Sequence, residues 1–498
     1  MPGRIRLLLF TIILTWVVFA ACRSRSELPR IEWTALPESI IEKAEDLKTG
    51  YLVVPERRFP EKGHRAIRLP FIIMKSRSSA PRLDPVLTTA GGPGGSTLAR
   101  ARSRQRNPLL EERDVILFEQ RGTRFAKPAL LAPKIDASLR SGWGTRLNGE
   151  PDPEQVARAM AETLHEYEEQ GIDLAGYTTK ESASDICDLR RLLGIDSWNL
   201  YGYSYSTKLM LTILRDNPEG VRAVVLDSIL PLEANWDEEA PANILDTLQQ
   251  VLTSALEDEV LGKRIDGLEE RLFIFLAQAN LQPVEIECKN PLAAGENLTL
   301  RLDAAGVMNC IYAGLEDSSV IPRLPLVIDE ISRGDIQRLA PLAEAYLASF
   351  LGYAWGMRTA VWCNEEFPFE RPARITETDS FPCELSRFVQ TAVPLEALRF
   401  WPQGRPEPSE NEPVRSDVPV LIASGEFDPD TPTKWAQAAA SFLRNSQVVE
   451  FAGMSHVPLF SHPDADRIIR EFLDHPRDKV DPGRAAMRLP FVITLKGK

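Results

Sequence analysis

The chain has 498 residues and a mass of 55.7 kDa, room at roughly 100–200 residues per domain for several domain-sized units or one large core carrying an insertion. Hydrophobic residues at 44% and charged residues at 26% exclude a polytopic membrane protein, a collagen and a mainly disordered chain. With 58 Lys and Arg against 71 Asp and Glu, the formal charge of −13 argues against a nucleic-acid backbone or an anionic membrane surface as the main partner. Five histidines and six cysteines lie too scattered for zinc-ligand spacing, so neither a metal nor a cofactor is expected.

Residues 1–22 read as an export signal: Arg4 and Arg6 precede an apolar run over residues 7–21 that is too short for a membrane span. The run ends Val18-Phe19-Ala20-Ala21-Cys22, similar to a bacterial lipobox in which Cys22 would carry lipid and become the mature N-terminus. Ordinary secretion and a retained anchor are the alternatives, and all three place the folded part outside the cytoplasm. Disulfides are permitted there, and the pairs Cys288 with Cys310 and Cys363 with Cys383 are one of three connectivities open to four cysteines. Cys187 falls on the apolar side of a helix predicted over residues 182–193 and reads as a buried free thiol.

Strands are predicted over residues 51–54, 66–75, 85–89, 114–119, 197–202, 222–227, 418–424 and 447–451. The later ones are continuous Val, Ile and Leu runs, the pattern of a mostly parallel sheet with helices on both faces. Between the sixth and seventh, residues 230–412 carry helical pattern and four of the cysteines, which divides the chain into a core of 23–229 and 413–498 with an insertion between. Pro402-Gln403-Gly404-Arg405-Pro406 suits the linker back into the sheet.

Four segments carry chemistry. Gly202-Tyr203-Ser204-Tyr205-Ser206 follows a predicted strand and precedes a helix over 208–214; a serine on such a tight turn points its Oγ out of the sheet, and small flanking residues let strand and helix pass closely. Thr89-Ala90-Gly91-Gly92-Pro93-Gly94-Gly95-Ser96 offers unpaired backbone NH groups for an oxyanion, with Gly92 and the residue after the nucleophile, Tyr205, as the donors. It lacks the Gly-Lys-Ser/Thr ending of a phosphate loop. The general base must come late in the chain, and His456, directly after the last strand, is preferred to His462 and His475, which flank a helix over 464–473. For the acid that orients it, Asp428 is chosen from the loop after the seventh strand, with Glu426 and Asp430 competing from the same loop and Asp227 from the end of the sixth strand.

Together these residues resemble an α/β-hydrolase of the prolyl iminopeptidase and tripeptidyl aminopeptidase family of serine exopeptidases. The resemblance rests on Gly91 to Ser96, on Glu119-Gln120-Arg121-Gly122-Thr123, on Gly202-Tyr203-Ser204-Tyr205 with Val225-Leu226-Asp227, and on Asp428-Pro429 with Thr431-Pro432. It implies an eight-stranded α/β-hydrolase core with a large, mainly helical cap, and Ser204, Asp428 and His456 as nucleophile, acid and base. Ser206 in place of the elbow glycine, Glu119 in place of an aspartate and Arg124 in place of a second glycine depart from the family pattern.

In that family the cap recognises the free amine of a peptide through carboxylates, and Val361-Trp362-Cys363-Asn364-Glu365-Glu366 resembles its cysteine-plus-acid segment, so Glu365 or Glu366 would bind the amine; a solvated helix face is the alternative. Arg121 would brace the oxyanion loop or lie in a surface ion pair. The expectation is an exported, cofactor-free serine hydrolase acting on small peptides as an aminopeptidase, touching a membrane only through lipid on Cys22. A carboxylesterase with the same triad, or a catalytically silent peptide-binding lipoprotein, are the rival readings.

Overall fold

The computed structural model describes residues 28–42, 44–58, 65–375, 382–385, 388 and 393–494. The export signal and Cys22 lie outside these residues. Strands β1 (Arg30–Trp33), β2 (Leu47–Pro55), β3 (Ala66–Met74), β4 (Arg82–Thr88), β5 (Arg113–Phe118), β6 (Trp198–Tyr203), β7 (Val221–Asp227), β10 (Val420–Gly425) and β11 (Ser446–Phe451) form one sheet in the order β1-β2-β3-β5-β4-β6-β7-β10-β11; β8 (Val284–Lys289) and β9 (Asn297–Leu302) pair separately. From β5 to β11 every pairing is parallel, while β1, β2 and β3 meander antiparallel at one edge.

The central strands are apolar throughout because both faces are covered. Alternate residues of β7 divide between two cores: Val224 and Leu226 pack with Leu211, Ile213 and Ala436, from the helices Tyr205–Asp216 and Thr433–Ala440, whereas Ala223 and Val225 pack with Ile468 and Phe472 of the helix Ala465–Asp474. This is the α/β-hydrolase architecture that the resemblance implies, with nine strands where eight are expected. The additional strand, β1, is the four-residue segment Arg-Ile-Glu-Trp at the sheet edge, half-buried and without an apolar run, so its composition resembles a loop.

Between β7 and β10 the chain leaves the sheet for residues 228–419 and builds helices including Trp236–Leu256, Ala304–Leu315 and Ala340–Ser349 around a separate core of residues such as Leu248, Leu276, Ile311 and Ile328. The antiparallel hairpin β8–β9 lies within this insertion, in register from Val284 opposite Leu302 to Lys289 opposite Asn297. Its alternation buries Ile286, Cys288, Leu300 and Leu302 against the helices.

The two expected disulfides are not formed. Cys187, Cys288, Cys310, Cys363 and Cys383 are all free thiols, and Cys383 is exposed while Cys363 is buried with its Sγ 3.9 Å from the Leu398 carbonyl oxygen. Cys187 is the buried free thiol that its helix position indicates. Among the described residues no helix is long and apolar enough to cross a membrane.

Candidate active site

The four chemical segments converge at the carboxyl edge of the parallel strands, beside the point where the strand order turns back between β4 and β6. Ser204 directly follows β6 with φ +55° and ψ −134°, a strained conformation held by a hydrogen bond of 2.9 Å from its NH to the Asp227 carbonyl oxygen. The turn admits little bulk: a Cβ on Gly202 would stand 2.7 Å from the Ser206 carbonyl oxygen, and one on Gly91 would stand 2.8 Å from that of Tyr203. Ser206 fits in place of the usual glycine because its hydroxyl folds back, accepting from Tyr203 N at 2.7 Å and donating to Tyr203 O at 2.9 Å.

Of the candidate acids, Asp428 meets the histidine. His456 Nδ1 donates to its carboxylate at 2.9–3.0 Å, and the carboxylate also accepts from the NH groups of Asp430 and Thr431 at 2.9 Å and the hydroxyls of Thr431 and Ser228 at 2.7 Å. Burial by itself would raise the Asp428 pKa, but His456 and these donors hold it below the ordinary aspartate value. Burial opposes the charged imidazole too, yet Asp428, then Asp430 and Glu316, carry the His456 pKa well above 6.5. Asp227 binds Tyr201 Oη and Leu459 N, Glu426 pairs with Arg488, and Asp430 accepts from Tyr312 Oη at 2.7 Å. His462 packs on Phe451, and His475 caps the last helix.

Ser228, immediately after β7, was not singled out in the sequence. With φ +60°, it donates to Asp428 at 2.7 Å and accepts from Val457 N at 2.8 Å, so one hydroxyl ties together the ends of β7, β10 and β11. Thr431 belongs to a motif that carried the resemblance, and its site role is to hold the acid. Asp428, Asp430 and His456 have ligating atoms within 4.8 Å of one another. The donors around Asp428 nevertheless occupy it in the way an orienting acid requires.

Gly92, with φ +124°, and Tyr205 border the same cavity of about 210 Å³ as Ser204 and His456. The glycine loop is held from both sides. Gln120 Nε2 donates to Ala90 O at 2.6 Å, while Glu119 accepts from Ser96 Oγ at 2.8 Å and Leu98 N at 2.9 Å, so the longer acid at this position serves as a bracket. From the insertion, Ala354 N donates to Gly94 O at 2.9 Å, and Arg358, stacked over Tyr353, Trp355 and Trp362, lies over the loop. Arg121 does neither of the expected things: wholly buried, it forks onto Asp185 at 2.7 and 2.8 Å and donates to Glu56 O.

Glu365 and Glu366 do not line the cavity, and they are not a solvated face. Glu366 is buried against the Lys208 ammonium at 2.5 Å, and Glu365 accepts from the NH of Thr179 at a helix start, burial pushing its pKa up to about 8. The carboxylates that do border the cavity are Asp430 and, from the insertion, Glu316, among the aromatic rings of Trp236, Tyr346, Phe350 and Tyr353. Sequence reasoning missed Glu316 because its only local signal is one acid at the end of an apolar helix.

A nucleophile elbow, a glycine loop and an Asp–His pair on a mostly parallel sheet define a hydrolase of the α/β-hydrolase fold. A family model for that fold matches residues 84–261, and a second, described as TAP-like protein, matches residues 392–482. The chain is an α/β-hydrolase, and its resemblance to the peptidases of that fold is borne out. It is 23% identical over 432 residues to the serine protease Hip1 of Mycobacterium tuberculosis and of Mycobacterium bovis, covering 80% of each chain. Among solved structures it is similar to the proline iminopeptidase of Mycobacterium smegmatis, at 14% identity and a TM-score of 0.37 with 86% and 98% of the two chains covered. A thermophilic esterase of Thermogutta terrifontis aligns at 16% identity and a TM-score of 0.34, with 86% and 99% covered.

Proposed function

We propose that this hydrolase is an exported aminopeptidase that removes short N-terminal units from small peptides through an acyl-enzyme on Ser204. The observation that carries the reading is the shared cavity: Ser204 and His456 face a space bordered by the carboxylates Glu316 and Asp430. An ammonium leaving water needs opposite charge and acceptors; the neighbouring acids supply them as a pair beside the reacting bond, burial and Asp430 holding the Glu316 pKa well above the ordinary carboxylate value. In the reaction, Ser204 Oγ attacks the scissile carbonyl while His456 Nε2 takes its proton, the NH groups of Gly92 and Tyr205 receive the developing oxyanion, and Asp428 keeps the Nδ1–H tautomer in place. His456 then returns the proton to the departing amine, and water repeats the cycle on the ester. The basic and apolar N-terminal run supports export, with Cys22 as the lipid anchor.

A carboxylesterase is the second reading, favoured by the aromatic wall of Trp236, Phe350 and Trp355, which would suit an acyl chain. Chromogenic aminoacyl, dipeptidyl and tripeptidyl amides, each with free and acetylated amino terminus, tested beside short acyl esters with Ser204→Ala as control, separate the two. Cleavage confined to free-amine amides supports the aminopeptidase and measures its step. Turnover of esters alone overturns it.

A further inference from the structure

In a chain of net charge −13, residues 100–106 hold four arginines and no acid. Arg102 turns away to the Glu38 carbonyl oxygen at 2.7 Å. The other three, Arg100, Arg104 and Arg106, line a second cavity of about 330 Å³ with Tyr201 and Phe460, where Asp466 is the one acidic side chain. Among the described residues none of these three guanidinium groups lies within 4.0 Å of a carboxylate, although most arginines of the core are paired. Cations gathered in a concavity repel one another, and an anion that accepts from their forks relieves that repulsion.

Phe460 links this cavity to the residue before the nucleophile. Arg104 and Arg100 stand over the Phe460 ring at 4.9 and 5.9 Å, and the same ring meets that of Tyr203, the residue before the nucleophile, at 4.7 Å between centroids. Phe460 in turn follows His456 by four residues, on the loop that must pass the proton to the leaving group. Burial raises the Tyr203 phenol pKa, and Arg104 and Arg100 pull against it. The first cavity is bordered by Glu316 and Asp430 and suits the cationic end of a substrate; the second presents the opposite sign.

We infer that Arg100, Arg104 and Arg106 form a carboxylate-binding subsite that holds the departing portion of the peptide by its C-terminal carboxylate. The direction of the peptide rests on the aminopeptidase reading; the affinity of the subsite for a carboxylate does not. Arginine forks match a planar carboxylate in a way an ammonium cannot, and the Phe460 and Tyr201 rings give the adjoining residue an apolar wall.

The test uses Ser204→Ala protein, which cannot turn substrate over, and measures binding of acetyl-dialanine with a free C-terminal carboxylate and of its C-terminal amide by ligand-observed NMR. Arg104→Gln, the double variant Arg100→Gln with Arg106→Gln, and the conservative Arg104→Lys are compared, with a thermal midpoint to show that each is folded. The expected result is about tenfold tighter binding of the acid than of the amide, as one charge-assisted pair supplies, lost in Arg104→Gln and partly restored in Arg104→Lys. Equal binding of acid and amide, or a preference that none of the variants alters, overturns the subsite. So does tighter, arginine-dependent binding of inorganic phosphate or phosphatidylglycerol vesicles, which would make it a phosphate site. In Ser204 protein the subsite should further appear as a lower KM for free-acid than for amidated tripeptides. Carboxylate binding in a protein that hydrolyses only esters would overturn the aminopeptidase reading and leave the carboxylate site standing.

Discussion

The Ser206 hydroxyl closes back onto Tyr203, accepting from its NH at 2.7 Å and donating to its carbonyl oxygen at 2.9 Å. A residue that breaks the family's glycine pattern therefore satisfies the backbone of the strand end that carries the nucleophile. Ser206→Ala leaves the half-buried Tyr203 NH without this acceptor and should cost about 1 kcal/mol, measured by denaturant unfolding. Ser206→Val should impair turnover more than the alanine variant, because the wholly buried position has no room for a branched side chain. An alanine variant as stable as the parent would refute this account of the elbow.

Ser204 stores strain at φ +55°. Ser204→Gly should abolish hydrolysis and raise stability by about 1 kcal/mol, because glycine adopts that conformation without the Cβ penalty. Ser204→Ala should also be inactive, by at least about a thousandfold, but without the gain in stability. Comparing the chemical-unfolding midpoints of the two variants separates the conformational term from loss of the hydroxyl.

His456 acts as a base only when neutral, and Asp428, with Asp430 and Glu316 behind it, holds its pKa above 6.5. The sign follows: kcat/KM should rise with pH through that raised value, so the ascending limb lies alkaline of ordinary histidine. Removing one of the nearby negative charges lowers the pKa, and Asp430→Asn should move the limb toward acid pH. A pH profile of kcat/KM on one substrate for both proteins decides this, and a limb that stays put or moves alkaline contradicts the electrostatic coupling.

Lys208 and Glu366 form a buried ion pair with side chains 5% and 3% exposed. Lys208→Met strands the glutamate and should destabilise the fold by about 3 kcal/mol, a loss visible in thermal unfolding. If Glu366 is structural in this way, the selectivity between free and acetylated amino termini should be the same in Lys208→Met as in the parent at a temperature where both are folded. A selectivity that collapses with Lys208 would return Glu366 to substrate recognition.

The features legible in the sequence are local ones. Continuous Val, Ile and Leu runs mark β7 and β10 because a parallel strand is buried on both faces, and glycines at 91, 92 and 202 mark places where backbone passes backbone. Strand β1 and the hairpin β8–β9 were not legible: the first alternates charge with half-buried residues at an edge, and the second sits in an insertion whose apolar spacing also fits helix. The free cysteines belong with them, since a bond between thiols is decided by approach in space rather than by spacing along the chain.

The sequence by itself determined the order of the chemical parts, a serine on a strand-to-helix turn, then an acid loop, then a histidine after the last strand, since each depends on a few adjacent residues and the strand before them. Only the tertiary structure decided which of Asp227, Glu426, Asp428 and Asp430 hydrogen-bonds His456, whose Nδ1 lies 2.9 Å from Asp428 and 4.0 Å from Asp430. It likewise decided that Lys208 occupies Glu366 across 158 positions of sequence and that Glu316 reaches the cavity from the insertion. Charge partnership in a low-dielectric interior is set by which side chains burial brings together, and that is a property of the packed chain rather than of any segment of it.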